Sequence, residues 1–201
     1  QAALAQNDAA VAALRQSPID IIITAVNAVS GRLHLFNQHE IGIDHLMASS
    51  AMPILFPWQT IKGTPFWDGG VIANTPLFTA LQKDVDEIVV VLLSPVGHHE
   101  LPFPGTLMNA LELVFEHLLS GSYQSSRTAI GEGRQRVDID LPGWLSRPQS
   151  GTARLGQPGI RVVAPAHMLG FRSLLNFSSR QARHLLREGY RHARHHLGPR
   201  A

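Results

Sequence analysis

The sequence predicts an α/β fold, in which a mainly parallel sheet carries helices on both faces. Two runs, "IDIIITAVNAV" at 19–29 and "DEIVVVLLSP" at 86–95, are apolar and β-branched without alternation. Such runs are typical of strands that are buried on both sides in a parallel sheet. A helical segment that opens on Thr-Pro, "TPLFTALQKDV" at 75–85, precedes the second run. Strands that alternate with helices in this way favour an α/β architecture.

The composition fits one globular domain or a large part of one. Of the 201 residues, 44% are hydrophobic and 16% are charged, which supports a core and argues against a disordered chain. The formal net charge is only +2, so we expect no nucleic-acid partner. Cysteine is absent, which excludes disulfides, thiolate metal sites and cysteine nucleophiles. No apolar run approaches the roughly 18 residues of a membrane span. The sequence does not decide the location of the protein, for which the cytoplasm and the membrane periphery are the two candidates.

The first third of the chain contains three further predicted elements. Residues 1–16 form a leading helix, which is strongest over "NDAAVAALRQ" and ends at a Ser-Pro dipeptide. Residues 31–37, "GRLHLFN", alternate between apolar and polar, the pattern of a half-buried strand. Residues 42–52, "GIDHLMASSAM", are predicted to form a short helix that is capped by Asp44 and ends before a proline.

The second half is predicted to be helical at both ends, with strands between. One or two helices are expected over 106–130, an outer strand over 134–141, and an irregular Gly/Pro/Ser segment over 142–159. "GIRVVAPA" at 159–166 is expected to form another strand. An amphipathic C-terminal helix follows over 178–197. The apolar stripe predicted for it comprises Ala182, Leu185, Leu186, Tyr190, Ala193 and Leu197.

The segment "FWDGGVIANTPL" at 66–77 contains an aspartate, Asp68, that is followed by two glycines. Asp-Gly between two partly apolar runs is the usual signal of a hairpin turn. On local pattern alone, Asp68 is therefore a turn residue.

Four segments, taken together, change that interpretation. They are "IIITAVNAVSGRLHLFN", "LMASSAMPILFPWQTIKGTPFWDGG", "GVIANTPLFTAL" and "VDEIVVVLLSP". In this order and spacing, the chain resembles the patatin-like phospholipases from about residue 17 to its end. These enzymes are lipid acyl hydrolases that use a serine–aspartate dyad. The resemblance implies a lipid or other acyl-ester substrate, and it implies neither a cofactor nor a metal.

The resemblance also implies that Asp68 is the catalytic aspartate, which aligns with the family's Asp-Gly-Gly/Ala motif. A serine hydroxyl needs a base within hydrogen-bonding reach, and partial desolvation would raise the pKa of Asp68 and make it a better base. Gly69 and Gly70 would let the backbone bend sharply and allow close approach. Asn74 and Pro76 would fix the following turn and the start of the next helix.

The serine of the dyad is not found in this sequence. The family's nucleophile lies in Gly-x-Ser-x-Gly, and no serine here has a glycine two positions before it. The glycine-rich oxyanion loop is also absent. We therefore expect 1–201 to be the C-terminal part of a single patatin-like domain, incomplete on its N-terminal side and inactive alone. Its partner would be the missing N-terminal segment that carries the nucleophile.

Three alternatives remain open. The chain could be a non-catalytic lipid-binding or regulatory module derived from the same fold. A histidine could complete a Ser-His-Asp triad instead of a dyad. The histidine candidates are His34, His39, His45, His98, His99 and His117. "GHHE" at 97–100 could bind a metal, but adjacent loop residues rarely converge on one ion, so a solvated loop is favoured. Ser49 and Ser50 are interpreted as small packing residues.

The C-terminal helix has a basic face. Its arginines recur at three- and four-residue spacing and are Arg180, Arg183, Arg187, Arg191 and Arg194, with four histidines among them. One interpretation is a solvated polar face. The other is peripheral contact with an anionic membrane through lipid headgroups, for which Arg183, Arg187, Arg191 and Arg194 are the candidates.

Overall fold

A computed structural model describes residues 2–93, 95, 103–115, 117, 121, 123, 158–165 and 176–198. Contacts along the chain divide it into two compact units, residues 1–74 and residues 75–201. We describe each unit by itself. The assignment of 1–201 to one domain stays a prediction.

The first unit consists of a small sheet with short helices. In chain order it contains α1 (Ala2–Arg15), β1 (Ile22–Asn27), β2 (Leu33–Asn37), α2 (Ile43–Ala48), β3 (Gln59–Ile61), β4 (Thr64–Asp68) and α3 (Gly70–Ala73). The four strands form one antiparallel sheet in the order β2-β1-β4-β3. The leading helix and the strand over 31–37 are thereby confirmed.

Short turns explain two of the three antiparallel pairings, β1–β2 and β3–β4, whereas β1 and β4 are far apart in the chain. β1 and β2 form a hairpin in which Ile23 pairs with Phe36, and the N–H of Gly31 closes the turn on the carbonyl of Asn27 at 2.9 Å. A turn of this length reverses the chain, whereas a parallel pair needs a crossover of a dozen or more residues. The predicted mainly parallel sheet is therefore not confirmed. β1 is a central strand, as its apolar run suggested, but both of its neighbours run antiparallel to it.

The core of the first unit lies between the sheet and α2. Ala25, Ala48, Ile61 and Phe66 are buried together, and Phe36 packs against them. The Nε–H of Arg15, at the end of α1, donates to the carbonyl of Ile41 at 2.9 Å.

The predicted helix over 42–52 is shorter than expected and has a different N-terminal cap. It is α2, which ends at Ala48, and its N-cap is Gly42 where Asp44 was expected. The proline at 53 disfavours helical backbone at the residue before it. Asp44 lies in the first turn, where a carboxylate interacts favourably with the helix dipole.

The second unit contains α4 (Leu77–Leu81), β5 (Glu87–Val91), helical residues 107–115, β6 (Gly159–Val163) and α5 (Ser179–Leu197). β5 and β6 pair in parallel, with Ile88 opposite Ile160. Leu77, Ile88, Val90 and Tyr123 form the buried cluster of this unit.

The second apolar run behaves differently from expectation. Val89 and Val91 are 43% and 70% exposed, while Ile88 and Val90 are buried, so β5 buries one face and the prediction of burial on both faces is wrong. The helix expected within 106–130 is confirmed over 107–115. The predicted strand at 134–141 lies outside the described residues, as does nearly all of the segment 142–159. Within the described parts of the chain, no helix has both the length and the apolar character that a bilayer span requires.

Candidate active site

Asp68 lies where a strand passes directly into a helix. It is the last residue of β4, Gly69 is the N-cap of α3, and α3 begins at Gly70. Gly69 has ordinary right-handed helical angles, with φ −61° and ψ −24°. The local Asp-Gly pattern predicts a hairpin turn at Asp68, and this prediction is wrong. The nearby hairpin instead joins β3 to β4 through Lys62 and Gly63, which have φ values of 49° and 80°.

The backbone of Asp68 is held from two sides. Asp68 is paired with Ala25 of the central strand β1. Its N–H donates to the carbonyl of Ala51 at 3.0 Å, and Ala51 is almost completely buried. Two residues earlier on β4, Phe66 is anchored in the core. The position of Asp68 is therefore fixed by the sheet and by the segment that follows α2.

Gly69 is required because the chain packs closely against Thr24. A Cβ at Gly69 would lie 2.2 Å from Thr24 Oγ1 and 2.8 Å from the backbone carbon of Thr24. No side chain fits at such distances, and because backbone is involved, a rotamer change cannot relieve the clash. Since the φ of Gly69 is ordinary, the requirement is one of space.

The carboxylate of Asp68 is partly buried and has one defined hydrogen bond. Oδ1 accepts from the N–H of Gly70 at 2.7 Å. Burial raises the pKa of Asp68 above its ordinary value, and the Gly70 hydrogen bond opposes that rise. In the part of the chain that the structure describes, no hydrogen bond reaches Oδ2. The group is thus an oriented carboxylate with a raised pKa, which is how a general base is prepared.

Asn74 lies beside this carboxylate, and Pro76 begins the next element. A Cβ at Gly70 would lie 3.1 Å from both Asn74 Oδ1 and Asp68 Oδ1, so the two oxygens flank Gly70. Asn74 is the C-cap of α3. In the second unit, the carbonyl of Pro76 accepts from the N–H of Thr79 at 3.0 Å and from its hydroxyl at 2.7 Å. Pro76 is the N-cap of α4.

Ser49 and Ser50 lie at the C-terminal end of α2, where Ser49 is partly buried and Ser50 is exposed, so the interpretation of Ser50 as a packing residue is not confirmed. Ser50 donates its hydroxyl back to the carbonyl of Leu46 at 3.0 Å, and Ser49 is the C-cap of α2. Their neighbours Ala48 and Ala51 are buried. Neither hydroxyl hydrogen-bonds to Asp68 in the described part of the first unit.

The described histidines of the first unit serve local contacts. His45 Nδ1 accepts from the N–H of Gly42 at 3.2 Å, and its ring meets Phe36 edge-on at 4.6 Å. His34 meets Phe66 edge-on at 5.1 Å. Burial lowers the pKa of both imidazoles. Among residues 2–74, no hydrogen bond or ion pair joins a histidine to Asp68, so the described contacts do not form a triad.

The remaining metal and histidine candidates are located as follows. His98, His99 and Glu100 lie outside the described residues. His117 is exposed in the second unit. Within the described parts of the chain, no group of three or more His, Asp or Glu side chains has the spacing of a metal site.

The sequence singled out Asp68 as a candidate but did not predict the contacts that position it. The Ala51–Asp68 hydrogen bond and the Thr24–Gly69 contact join residues far apart in the chain. The only available signal was the run of small residues around 48–51, which permits such close packing.

Comparison with known proteins supports the resemblance over part of the chain. Residues 14–81 match the model of the family described as patatin-like phospholipase, about a third of the 201 residues. The match includes Asp68, Gly69, Gly70, Asn74 and Pro76 and ends before β5. The resemblance to the patatin-like phospholipases, a family of lipid acyl hydrolases, is thereby confirmed over residues 14–81 and stays a prediction beyond them. No curated protein matches the chain.

Proposed function

We propose that this chain supplies the general base of a serine lipid acyl hydrolase, with Asp68 as the base and phospholipase A-type ester cleavage as the reaction. One observation carries the proposal. Within the patatin-like segment, Asp68 is a partly buried carboxylate with a raised pKa, held at a strand-to-helix junction by Gly70.

The chemistry follows from what a carboxylate can do for a serine. Asp68 takes the hydroxyl proton as the serine oxygen attacks the acyl carbonyl, and the proton then passes to the departing alcohol. Water attacks the resulting acyl-serine while Asp68 takes one of its protons, the bond between the serine oxygen and the acyl carbon breaks, and Asp68 returns the proton to the serine oxygen as the carboxylic acid is released. Because Gly70 engages Oδ1, Oδ2 is the oxygen that is left for the serine.

In this proposal, the nucleophilic serine belongs to a segment outside these 201 residues. Its support is the sequence itself, in which no serine stands two positions after a glycine, whereas the nucleophile elbow needs that spacing. The oxyanion donors, usually a large contribution to acyl transfer, would come from the same segment. The chain alone is then an inactive half of the catalytic apparatus.

Covalent labelling tests the proposal. A fluorophosphonate probe reacts with activated serines and leaves an adduct that mass spectrometry can locate. We expect no stoichiometric adduct on residues 1–201 expressed alone and one adduct on the product of the whole gene. An adduct on Ser49 or Ser50 of the folded chain would overturn the assignment of the nucleophile. An unlabelled whole-gene product would favour a non-catalytic lipid-binding or regulatory module.

A further inference from the structure

The C-terminal helix α5 has three distinct rows of side chains along its length. At 3.6 residues per turn, one row is Gln181, Leu185, Glu188 and His192, and it is partly buried. The helix packs against β6. The second row is apolar and consists of Ala182, Leu186, Gly189, Tyr190, Ala193 and Leu197. The third row consists of Arg180, Arg183, Arg187, Arg191 and Arg194.

The apolar row lies mostly in solvent. Leu186 is 72% exposed and Tyr190 is 65% exposed, and no residue of α5 is fully buried. An apolar stripe on a surface helix usually faces the core. Here the sequence prediction of an apolar stripe is confirmed for most members. Leu185 lies in the partly buried row, and Ala193 in the apolar row is also partly buried.

The arginine row runs directly beside the apolar row, and almost none of its positive charge is balanced by acidic residues of α5. α5 carries five arginines and a single acidic residue, Glu188. Glu188 pairs with Arg191 at 2.7 Å, and Arg194 lies over the ring of Tyr190 at 5.9 Å. In the described parts of the second unit, Arg183 and Arg187 have no acidic partner.

The first turns of α5 also border a groove of about 580 Å³. It is lined by Asn176, Ser178, Arg180, Gln181, Arg183, His184 and Arg187. Three guanidinium groups along one groove create a local positive potential, and guanidinium is the side chain best suited to phosphate oxygens.

We propose that α5 docks the protein on an anionic phospholipid bilayer, with Leu186 and Tyr190 in the interface and the arginine row on the headgroups. An exposed apolar row flanked by arginines is the pattern of helices that lie in the plane of a membrane surface. Each arginine near an anionic leaflet strengthens binding, and the near absence of acidic residues on α5 gives the required complementarity. This surface does not involve Asp68, so the inference stands or falls separately from the hydrolase proposal.

Co-sedimentation with vesicles tests the docking surface on the purified chain. The vesicles are phosphatidylcholine alone or phosphatidylcholine mixed with phosphatidylserine. We expect binding to the mixed vesicles that weakens with salt, because exposed charges are screened over roughly 8 Å at physiological ionic strength.

Variants on the two exposed rows separate charge from insertion. The pair Arg183→Gln and Arg187→Gln should weaken binding to mixed vesicles roughly 30-fold. Leu186→Gln should weaken it at least about tenfold while leaving the fold intact, because that side chain is exposed. Glu188→Gln is the matched control on the same helix. It should strengthen binding, since it removes the only negatively charged side chain of α5. Lys62→Gln, an exposed charge in the first unit, should leave binding unchanged.

Three results would overturn the proposal. One is equal binding to neutral and anionic vesicles, and another is binding to neither. The third is a concentration-dependent dimer that Leu186→Gln abolishes, which would make a second copy of the chain the occupant of the apolar row.

Discussion

Asp68 Oδ1 accepts a hydrogen bond from the N–H of Gly70 at 2.7 Å, so the carboxylate is oriented by the first residue of the helix that follows it. The same junction buries the carboxylate and raises its pKa. Orientation and a raised pKa therefore come from one feature, the direct passage of β4 into α3. That passage depends on the absence of a side chain at Gly69.

Gly69→Ala is expected to destabilise the first unit strongly. The added Cβ would lie 2.2 Å from Thr24 Oγ1 and 2.8 Å from the Thr24 backbone, and forced overpacking costs about 1–3 kcal/mol or more. Thermal unfolding should show a clear fall in Tm. Gly189→Ala is the matched control, because open space surrounds that helical glycine and alanine there should stabilise by about 1 kcal/mol. An unchanged Tm for Gly69→Ala would mean that β1 and α3 are not packed this closely.

Asp68→Asn should make the protein more stable at neutral pH. The raised pKa means that the fold favours the protonated carboxyl of Asp68. The stability that this protonated group adds to the fold is fully present below the unfolded-state pKa of about 3.9 and is lost as pH rises through the folded-state pKa. Asparagine has the shape of the neutral carboxyl and keeps an oxygen that can accept the hydrogen bond from the N–H of Gly70. The Tm difference between variant and parent should be near zero in acid and positive at pH 7. A variant less stable than the parent at pH 7 would contradict the burial of this carboxylate.

The β3–β4 hairpin should respond to turn chemistry. Lys62 and Gly63 both have positive φ, as in a type I′ turn, which prefers Asn-Gly. Gly63→Ala should cost about 1–2 kcal/mol through backbone strain alone, since nothing lies within 4 Å of the added Cβ. Lys62→Asn should stabilise slightly. Urea unfolding measures both, with Gly105→Ala as the control in equally open space. Equal midpoints for Gly63→Ala and Gly105→Ala would exclude this turn.

The sequence predicted elements better than it predicted how they pair. Apolar runs located β1 and β5, and the small residues near Ala51 indicated close packing. Pairing direction in the β1–β2 and β3–β4 hairpins depended on the Gly31 turn and the Lys62–Gly63 turn, whose lengths exclude parallel neighbours. The antiparallel pairing of β1 with β4 joins strands far apart in the chain, and no local pattern specifies it. The role proposed for Asp68 rests on the wider motif, because Asp-Gly alone predicts a hairpin. The contacts of Thr24 and Ala51 with this junction were not accessible, since no local pattern specifies a long-range backbone approach.

Ester turnover by the whole-gene product with Asp68→Asn is the most direct test of Asp68 as the base. The substrate is a short-chain nitrophenyl ester, and Tm is measured on the same samples. Asp8→Asn, an exposed carboxylate on α1, is the matched control. We expect Asp68→Asn to lose at least about 100-fold in turnover while remaining folded, with Asp8→Asn unchanged. Near-normal turnover by a folded Asp68→Asn variant would contradict the assignment, and so would a parent protein that hydrolyses no ester.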